Sequence, residues 1–209
     1  MPRTASQGPS LPYAARLTDG RTVRVAPVTA DAPVPPGGDP ALREARALIA
    51  SLLTMNPAAA EAHGISLPVA WAAAVPGDPA GDLGLAWWTA LPYHQFTAVA
   101  EVALAPGARR SGLGRVLLDL LALSAADRGV EWLQVRLPAG EERALAAALK
   151  THRGRVTDRD GASCFVEIPL AGDPRRFHRS GVHWPVRRSA QPPLRPSAPQ
   201  HVQSQGEIK

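Results

Sequence analysis

Residues 100–118 read Ala-Glu-Val-Ala-Leu-Ala-Pro-Gly-Ala-Arg-Arg-Ser-Gly-Leu-Gly-Arg-Val-Leu-Leu, and this stretch decides the fold. Its first residues are typical of a strand, and its last residues begin an apolar helix after a tight loop. Backbone amides at the start of a helix lack partners inside it, so together with the helix dipole they form an anion site. Gly112 and Gly114 lack the Cβ atoms that would hold a phosphate away from the backbone, so the stretch predicts a phosphate-binding loop. Three arginines add positive charge beside it: Arg109, Arg110 and Arg115.

The spacing of the loop residues narrows the kind of phosphate ligand. A P-loop needs a Gly-Lys-Ser/Thr sequence, and this loop contains no lysine. The dinucleotide fingerprint needs a third glycine where this chain has Leu117. The spacing Pro106-x-x-Arg109-x-x-Gly112-x-Gly114 resembles the acyl-CoA signature of the GNAT superfamily of N-acyltransferases, Arg/Gln-x-x-Gly-x-Gly/Ala between a strand and an apolar helix. A glycine-rich turn that only caps a core helix is the alternative.

The elements around this loop are predicted from periodicity and from turn and cap residues. In chain order they are a strand at Arg21–Val25, a helix from Asp39-Pro40 to about Leu53 with Leu42, Ala45, Leu48, Ile49 and Leu52 on one face, strands near 67–75, 82–91 and 97–105, a helix over 112–128, a strand at Trp132–Leu137, a helix opening at Glu141 and Glu142 and closing at Gly154, and a hairpin of 155–159 and 162–168. This order predicts an α/β (α+β) fold with a sheet that has a parallel pair at its centre. It also matches the GNAT element order, and that resemblance implies a mixed, mostly antiparallel sheet whose central parallel pair is splayed, with flanking helices.

Composition divides the chain into three parts. Residues 1–14 are rich in Pro, Ser and Gly and predict a disordered lead-in, residues 15–170 carry the GNAT-like domain, and residues 171–209 predict a disordered tail rich in Pro and Arg. The tail holds seven basic and two acidic residues, so it accounts for the formal charge of +5. The domain itself is balanced in charge.

The sequence also argues against several kinds of site and of protein. Cys164 is the single cysteine, so neither a disulfide framework nor a cysteine-based zinc site is expected within one chain. His63 has no partners at the spacing of metal ligands, so no metal is predicted. The chain shows neither a secretory leader nor an apolar run of about 18 residues, so we expect no membrane contact and a cytoplasmic protein.

The GNAT resemblance implies a co-substrate, a site and a reaction. The co-substrate is acetyl-CoA, and the loop implied to hold its phosphates is Arg109, Arg110, Ser111, Gly112, Leu113, Gly114 and Arg115. Enzymes of this superfamily transfer the acetyl group directly to an amine, with a backbone N–H of the strand before the loop donating to the thioester oxygen. In this chain the donor would belong to Val102, Ala103 or Leu104. A base must also take a proton from the amine, and Glu101 is the one acid on that strand.

Within the superfamily, the sequence is most similar to bacterial protein lysine acetyltransferases. Leu17–Val28 resembles their first strand, and Thr97–Ala103 resembles the strand that carries their catalytic glutamate. That resemblance implies a protein lysine, a protein N-terminus or a small-molecule amine as acceptor. Glu101 lies eight residues before Arg109, closer to the loop than the glutamate of those enzymes, and an apolar neighbourhood of Val99, Val102 and Leu104 is expected to raise its basicity. A solvated glutamate at a strand edge is the alternative.

Other departures from the superfamily pattern favour a second function. Lys150 stands where many GNAT enzymes have a tyrosine acid, and the usual asparagine of that helix is missing, with Gly140 nearest. A catalytically weak acyl-CoA-binding regulatory module is therefore the alternative to an enzyme. A third hypothesis, compatible with both, is weak nucleic-acid contact through the basic tail. His94, in a loop before the motif strand, is a candidate acceptor contact or a solvated loop residue. The sequence does not specify the oligomeric state.

Overall fold

A single eight-stranded sheet forms the centre of the protein. The computed structural model describes residues 12–62, 66–79, 81–91 and 96–170, without the side chains of Glu61, Glu142 and Arg143. The strands are β1 (Tyr13–Arg16), β2 (Thr22–Pro27), β3 (Val69–Ala74), β4 (Asp82–Ala90), β5 (Thr97–Leu104), β6 (Trp132–Pro138), β7 (Arg155–Arg159) and β8 (Ser163–Pro169). The helices are α1 (Pro40–Leu53), α2 (Pro57–Ala62), α3 (Leu113–Ala126) and α4 (Glu142–Ala146). The predictions for residues 1–11, His63, His94 and the tail from 171 lie outside the described residues.

The strand order β1-β2-β3-β4-β5-β6-β8-β7 confirms the predicted fold class. β5 and β6 pair in parallel, and the other neighbouring pairs among the described strands are antiparallel. A parallel pair needs a long crossover, which α3 provides between β5 and β6. The loop at residues 105–112 therefore lies at the carboxyl end of β5, where the chain leaves the sheet.

One face of the sheet is covered by α3, whose residues are buried almost all round. Leu117, Leu118 and Leu121 are fully buried and pack against the inward side chains of the central strands. The helix approaches β4 closely, because a Cβ built on Gly84 would lie 3.0 Å from a methyl carbon of Leu117 and 3.1 Å from one of Leu113. This packing holds the N-terminus of α3 in place beside the end of β5.

The opposite face of β3 and β4 is covered by α1, which begins as predicted. The Asp39 carboxylate accepts hydrogen bonds from the amides of Ala41 and Leu42 at 2.9 and 3.2 Å, with Pro40 at the first helical position. Leu42 and Ile49 are buried, but the prediction that Leu48 shares their face is wrong, since Leu48 is 62% exposed. It lies on the helix side that faces away from the sheet.

The structure differs from the predicted elements at two places. β1 is a strand that the sequence did not indicate, and it adds an antiparallel edge to β2. The helix expected to run to Gly154 is five α-helical residues long and continues as a π-helical turn at Ala147–Thr151. His152, which follows this turn, is buried. Its Nε2 lies 2.7 Å from the Asp119 carboxylate of α3, so this contact replaces the exposed helix end.

Among the described helices, none combines the length and the apolar character that spanning a membrane requires.

Candidate functional site: a backbone nest beside a cationic groove

The loop between β5 and α3 forms a concave backbone turn. After a 3₁₀ turn at Pro106–Ala108, Arg110 and Gly112 both take positive φ angles of 62° and 89°. Left-handed residues next to right-handed ones turn successive amides toward a common point, which is the arrangement of an anion-binding nest. α3 begins directly after it at Leu113, so the amides of its first turn, which have no carbonyl partners within the helix, lie at the same place.

Two of the predicted loop residues brace the loop from inside. The Ser111 hydroxyl donates to the Ala108 carbonyl at 2.6 Å and accepts from the Leu113 amide at 3.3 Å. Ser111 is 3% exposed and the Leu113 side chain is fully buried, so both anchor the helix start. Their side chains therefore hold the nest in shape.

The turn between β1 and β2 clasps the loop from the other side. Thr18 donates to the Ser111 carbonyl through both its amide at 2.9 Å and its hydroxyl at 2.8 Å. Arg21 donates to the Gly107 carbonyl at 2.9 Å and pairs with Asp19 at 2.6 Å. The hydrogen bond from the Arg21 side chain to the Asp19 carboxylate lowers the pKa of Asp19. These contacts come from the strand pair whose first member the sequence missed.

A groove of about 530 Å³ opens between the turn that joins β1 to β2, the first turn of α3 and the end of α4. Its lining residues are Arg16, Leu17, Thr18, Ser111, Gly112, Arg115, Ala146, Ala147, Lys150 and Thr151. Three of them are exposed cations, from three separate elements: Arg16, Arg115 and Lys150. The groove thus joins a backbone anion site to a polar and cationic wall.

The remaining predicted cations lie at the rim. The side chains of Arg109 and Arg110 are exposed and do not line the groove described above. Arg115 reaches back toward Asp119, with Nε 3.9 Å from a carboxylate oxygen. Lys150, which the sequence singled out as the replacement of a tyrosine, contributes to the groove wall instead.

The strand before the loop presents amides on both of its edges. The amide of Ala105 donates to the Leu83 carbonyl of β4 at 2.9 Å. Because backbone groups alternate along a strand, the Ala103 amide also points toward β4, whereas the amides of Val102 and Leu104 point toward β6. Of the three predicted donors, Val102 and Leu104 are thus the ones on the side of the parallel pair.

β5 and β6 separate beside these amides. Their paired register runs from Thr97–Trp132 to Glu101–Arg136, and β5 then continues to Leu104 alongside β4. A gap therefore opens between the two parallel strands next to the nest, as a splayed pair predicts. An elongated ligand with its phosphates at the nest could place its other end in this gap.

Glu101 lies on the sheet face opposite to α3, at the start of the gap. Its carboxylate accepts from Arg136 at 3.2 Å, and its side chain is 35% exposed. Arg136 also donates to Ser163 at 3.0 Å and lies 6.0 Å above the Phe165 ring. The expected apolar neighbourhood is wrong for Val102, which is buried on the α3 side of the strand.

The expectation is also wrong for Leu104, which is likewise buried on the α3 side, whereas Val99 shares the face of Glu101 but is itself 39% exposed. The sequence reasoning overlooked that side chains alternate between faces along a strand. The same rule, applied to β6 beside β5, is the signal that would have found Arg136.

Glu141, at the start of α4, is a residue of the site that the sequence placed only in a helix start. It is 4% exposed, and its Oε1 accepts from the Arg110 amide at 3.3 Å. Its Oε2 lies 2.8 Å from the position that a Cβ on Gly114 would take. A carboxylate of the chain itself therefore lies against the nest. An acid directly after β6, where the splayed strand meets the next helix, is the signal that would have found it.

In the described part of the chain, no three His, Cys, Asp or Glu side chains come together as metal ligands. The anion nest and the groove contain backbone amides, hydroxyls and cations.

No protein-family model matches the chain, and no curated protein sequence matches it significantly. Solved structures do resemble it in fold. The GNAT domain of PAT from S. lividans is 14% identical, with a TM-score of 0.48 over 76% of this chain and 96% of that domain. A cAMP-binding acyltransferase from Mycobacterium smegmatis is 14% identical, with a TM-score of 0.49 over 81% of this chain. This chain spans about half of that protein, 52% of its length.

The PaiA N-acetyltransferase from Thermoplasma acidophilum, solved in complex with coenzyme A, is also similar. It is 12% identical, with a TM-score of 0.40 over 63% of this chain and 79% of that one. Since each of these TM-scores is below 0.5, we draw nothing about activity from them.

Proposed function

We propose that this protein binds acetyl-CoA at the nest and transfers the acetyl group to an amine, as an N-acyltransferase of the GNAT type. The observation that carries the proposal is the backbone nest of Arg110 and Gly112 at the start of α3, open to a cationic groove and adjacent to a splayed parallel pair. A phosphate anion, a charged nucleotide and an extended acyl arm each match one of these three features. The acceptor is a protein lysine, a protein N-terminus or a small-molecule amine.

The groove supplies the binding energy for the charged half of the ligand. Backbone amides at the nest would hold the pyrophosphate, in the favourable field of the α3 dipole. Arg16, Arg115 and Lys150 would face the remaining phosphate of CoA with charge-assisted contacts, and exposed Arg109 and Arg110 would add long-range attraction. The pantetheine arm would then enter the gap between β5 and β6.

The reaction would take place in that gap. The amine nitrogen attacks the thioester carbonyl carbon, the bond from carbon to sulfur breaks, and CoA leaves as a thiolate that takes a proton from water. The oxygen carries negative charge in the intermediate, which an amide N–H of Val102 or Leu104 stabilises. The amine loses its proton to Glu101, directly or through water.

A second candidate function, a catalytically weak acyl-CoA-binding module, is favoured by the state of Glu101. Its carboxylate is occupied by the Arg136 guanidinium at 3.2 Å, so an ammonium acceptor must compete with Arg136 for it. Lys150 also stands where many GNAT enzymes have a tyrosine, so the acid that would protonate the thiolate is missing from that position. The two functions share the ligand site and differ in turnover.

Isothermal titration of acetyl-CoA into the wild type and into Gly112→Glu tests the shared site. We expect micromolar binding by the wild type and none by the variant, because the new carboxylate would repel the pyrophosphate. The matched control is Gly129→Glu, since Gly129 has nearly the same left-handed φ of 80° but lies in open space past the other end of α3. The control carries similar backbone strain, so it should bind like the wild type.

Failure of the wild type to bind acetyl-CoA would overturn both functions. If it binds, an acceptor screen separates them. An enzyme should acetylate at least one amine and lose about 100-fold or more of that rate in Glu101→Gln. A wild-type rate no higher than that of Glu101→Gln for every acceptor, with binding intact, would favour the regulatory module.

A further inference from the structure

One amide of the nest described above, that of Arg110, already donates to an anion of the chain, the carboxylate of Glu141. This side chain is 4% exposed, although acidic side chains are rarely buried without strong partners. Its Oε1 accepts from the amide of Arg110, the residue whose left-handed φ of 62° shapes the nest. A carboxylate and a phosphate compete for the same donors, because both are anions that accept hydrogen bonds from backbone amides.

The other carboxylate oxygen lies at the glycine of the first helical turn. A Cβ on Gly114 would lie 2.8 Å from Oε2 of Glu141, 3.2 Å from Leu104 and 3.4 Å from Ala144. The space kept open by the missing Cβ is therefore filled by the Glu141 carboxylate. A glycine at this position of the loop otherwise allows a phosphate to approach the backbone closely.

Glu141 reaches the nest from the far side of the gap. It lies three residues after the end of β6, whereas the nest follows β5, so the carboxylate and the amide that donates to it belong to the segments that follow the two splayed strands. A phosphate that approaches the Arg110 amide or the space beside Gly114 would meet this carboxylate. Two negative groups cannot both accept from that amide.

We propose that Glu141 is an internal anion that closes the nest in the free protein and must be displaced when an acyl-CoA binds. The inference rests on the proposed function, since it takes CoA phosphates as the competing ligand. Displacement costs the Glu141 carboxylate its hydrogen bond to Arg110 and brings it close to a second anion. Glu141 therefore lowers the affinity for CoA, and a partner or acceptor that draws this carboxylate away would raise it.

Two substitutions at one position test the inference. Glu141→Gln keeps the size of the side chain and removes its charge, and Glu141→Ala removes the whole group. We expect acetyl-CoA to bind about tenfold or more tightly to both variants than to the wild type, measured by isothermal titration. The matched control is Glu44→Gln, an exposed acid on α1 at the opposite face of the sheet, which should leave the affinity unchanged.

The thermal midpoint of the ligand-free variants separates this role from a purely structural one. A side chain that only supports the loop would lower both the midpoint and the CoA affinity when removed. We expect Glu141→Ala instead to have a lower thermal midpoint and a higher affinity for acetyl-CoA than the wild type.

Equal affinity of the wild type and both variants would overturn the role of Glu141 while leaving the proposed function in place. No binding by any of the three proteins would overturn both.

Discussion

Arg110 and Gly112 are the residues at which the loop departs most from ordinary backbone geometry. A left-handed φ is free of cost for glycine but costs an arginine roughly 1–2 kcal/mol. Strained backbone of this kind persists where the surroundings over-determine it, and here Thr18, Ser111 and Glu141 do so with hydrogen bonds. The backbone strain at Arg110 therefore belongs to a loop that these hydrogen bonds hold in a fixed shape.

At the residue scale, Gly114 and Glu141 should be coupled in stability. Gly114→Ala adds a Cβ that meets the Glu141 carboxylate at 2.8 Å, so the carboxylate must shift away from the Arg110 amide. In Glu141→Ala that obstacle is gone, while alanine still favours the helix over glycine. We expect Gly114→Ala to be more favourable by about 1 kcal/mol in the Glu141→Ala background. Urea unfolding of the four proteins in this cycle measures the coupling, and additive effects would contradict it.

Among the elements, those with a strong local signal could be predicted from sequence. α1 has an Asp39-Pro40 start, and β5, α3 and β6 follow from apolar runs around a glycine loop, so their order also predicted the parallel pair. β1 could not be predicted, because four residues with two inward side chains carry too little periodicity. It becomes a strand only because β2 offers it an edge.

The end of α4 escaped prediction for a different reason. Lys150, His152 and Arg153 resemble a charged helix terminus, and nothing local shows that His152 meets Asp119, 33 residues away. Likewise, Glu101 was found as the acid on its strand, but Arg136 and Glu141 enter the site through tertiary contacts. Sequence reasoning thus located the loop and missed the groups that face it across space.

At the element scale, the Asp119–His152 contact should fasten the π-helical end of α4 to α3. Both side chains are almost fully buried, at 2% and 0% exposure, and 2.7 Å apart. A double-mutant cycle of Asp119→Ala and His152→Ala should give a coupling of about 1–3 kcal/mol in the free energy of unfolding.

The exposed ion pair Arg155–Glu167 is the matched comparison for this cycle. Its atoms are 2.6 Å apart, but Arg155 is 75% exposed, so its coupling should be below about 1 kcal/mol. A coupling for Asp119 and His152 no larger than this one would show that the buried contact does not hold the two helices together.

On the scale of the whole molecule, the sheet offers a ligand two routes to the gap between β5 and β6, one on each face. The groove and its cations lie on the α3 side, whereas Glu101 and Arg136 lie on the opposite side. The gap between β5 and β6 connects the two. A nucleotide-bearing donor and an amine acceptor could therefore reach the same carbonyl from different faces without crossing.

At this scale, the basic tail should be dispensable for acetyl-CoA. Within the described part of the chain, three cations already line the groove: Arg16, Arg115 and Lys150. We expect acetyl-CoA affinity to change less than about twofold when six tail arginines are replaced by glutamine in the full chain, because distant exposed charges are screened. The six are Arg175, Arg176, Arg179, Arg187, Arg188 and Arg195.

The same variant tests nucleic-acid contact by the tail. DNA retention by the wild type should be weak, fall steeply between about 50 and 200 mM salt, and vanish in the variant. A large loss of acetyl-CoA affinity in that variant would instead place the tail at the groove. Equal DNA retention by both proteins would show that the tail arginines do not bind the DNA.

The clasp between Thr18 and Ser111 has a consequence for synthesis on the ribosome. Its two partners are 93 residues apart in the chain. At elongation rates of about 5–20 residues per second, the turn that carries Thr18 leaves the ribosome roughly 5–20 seconds before the loop that it holds. During that interval a nascent chain has one wall of the groove and no nest, so the acyl-CoA site proposed above cannot form until α3 has emerged.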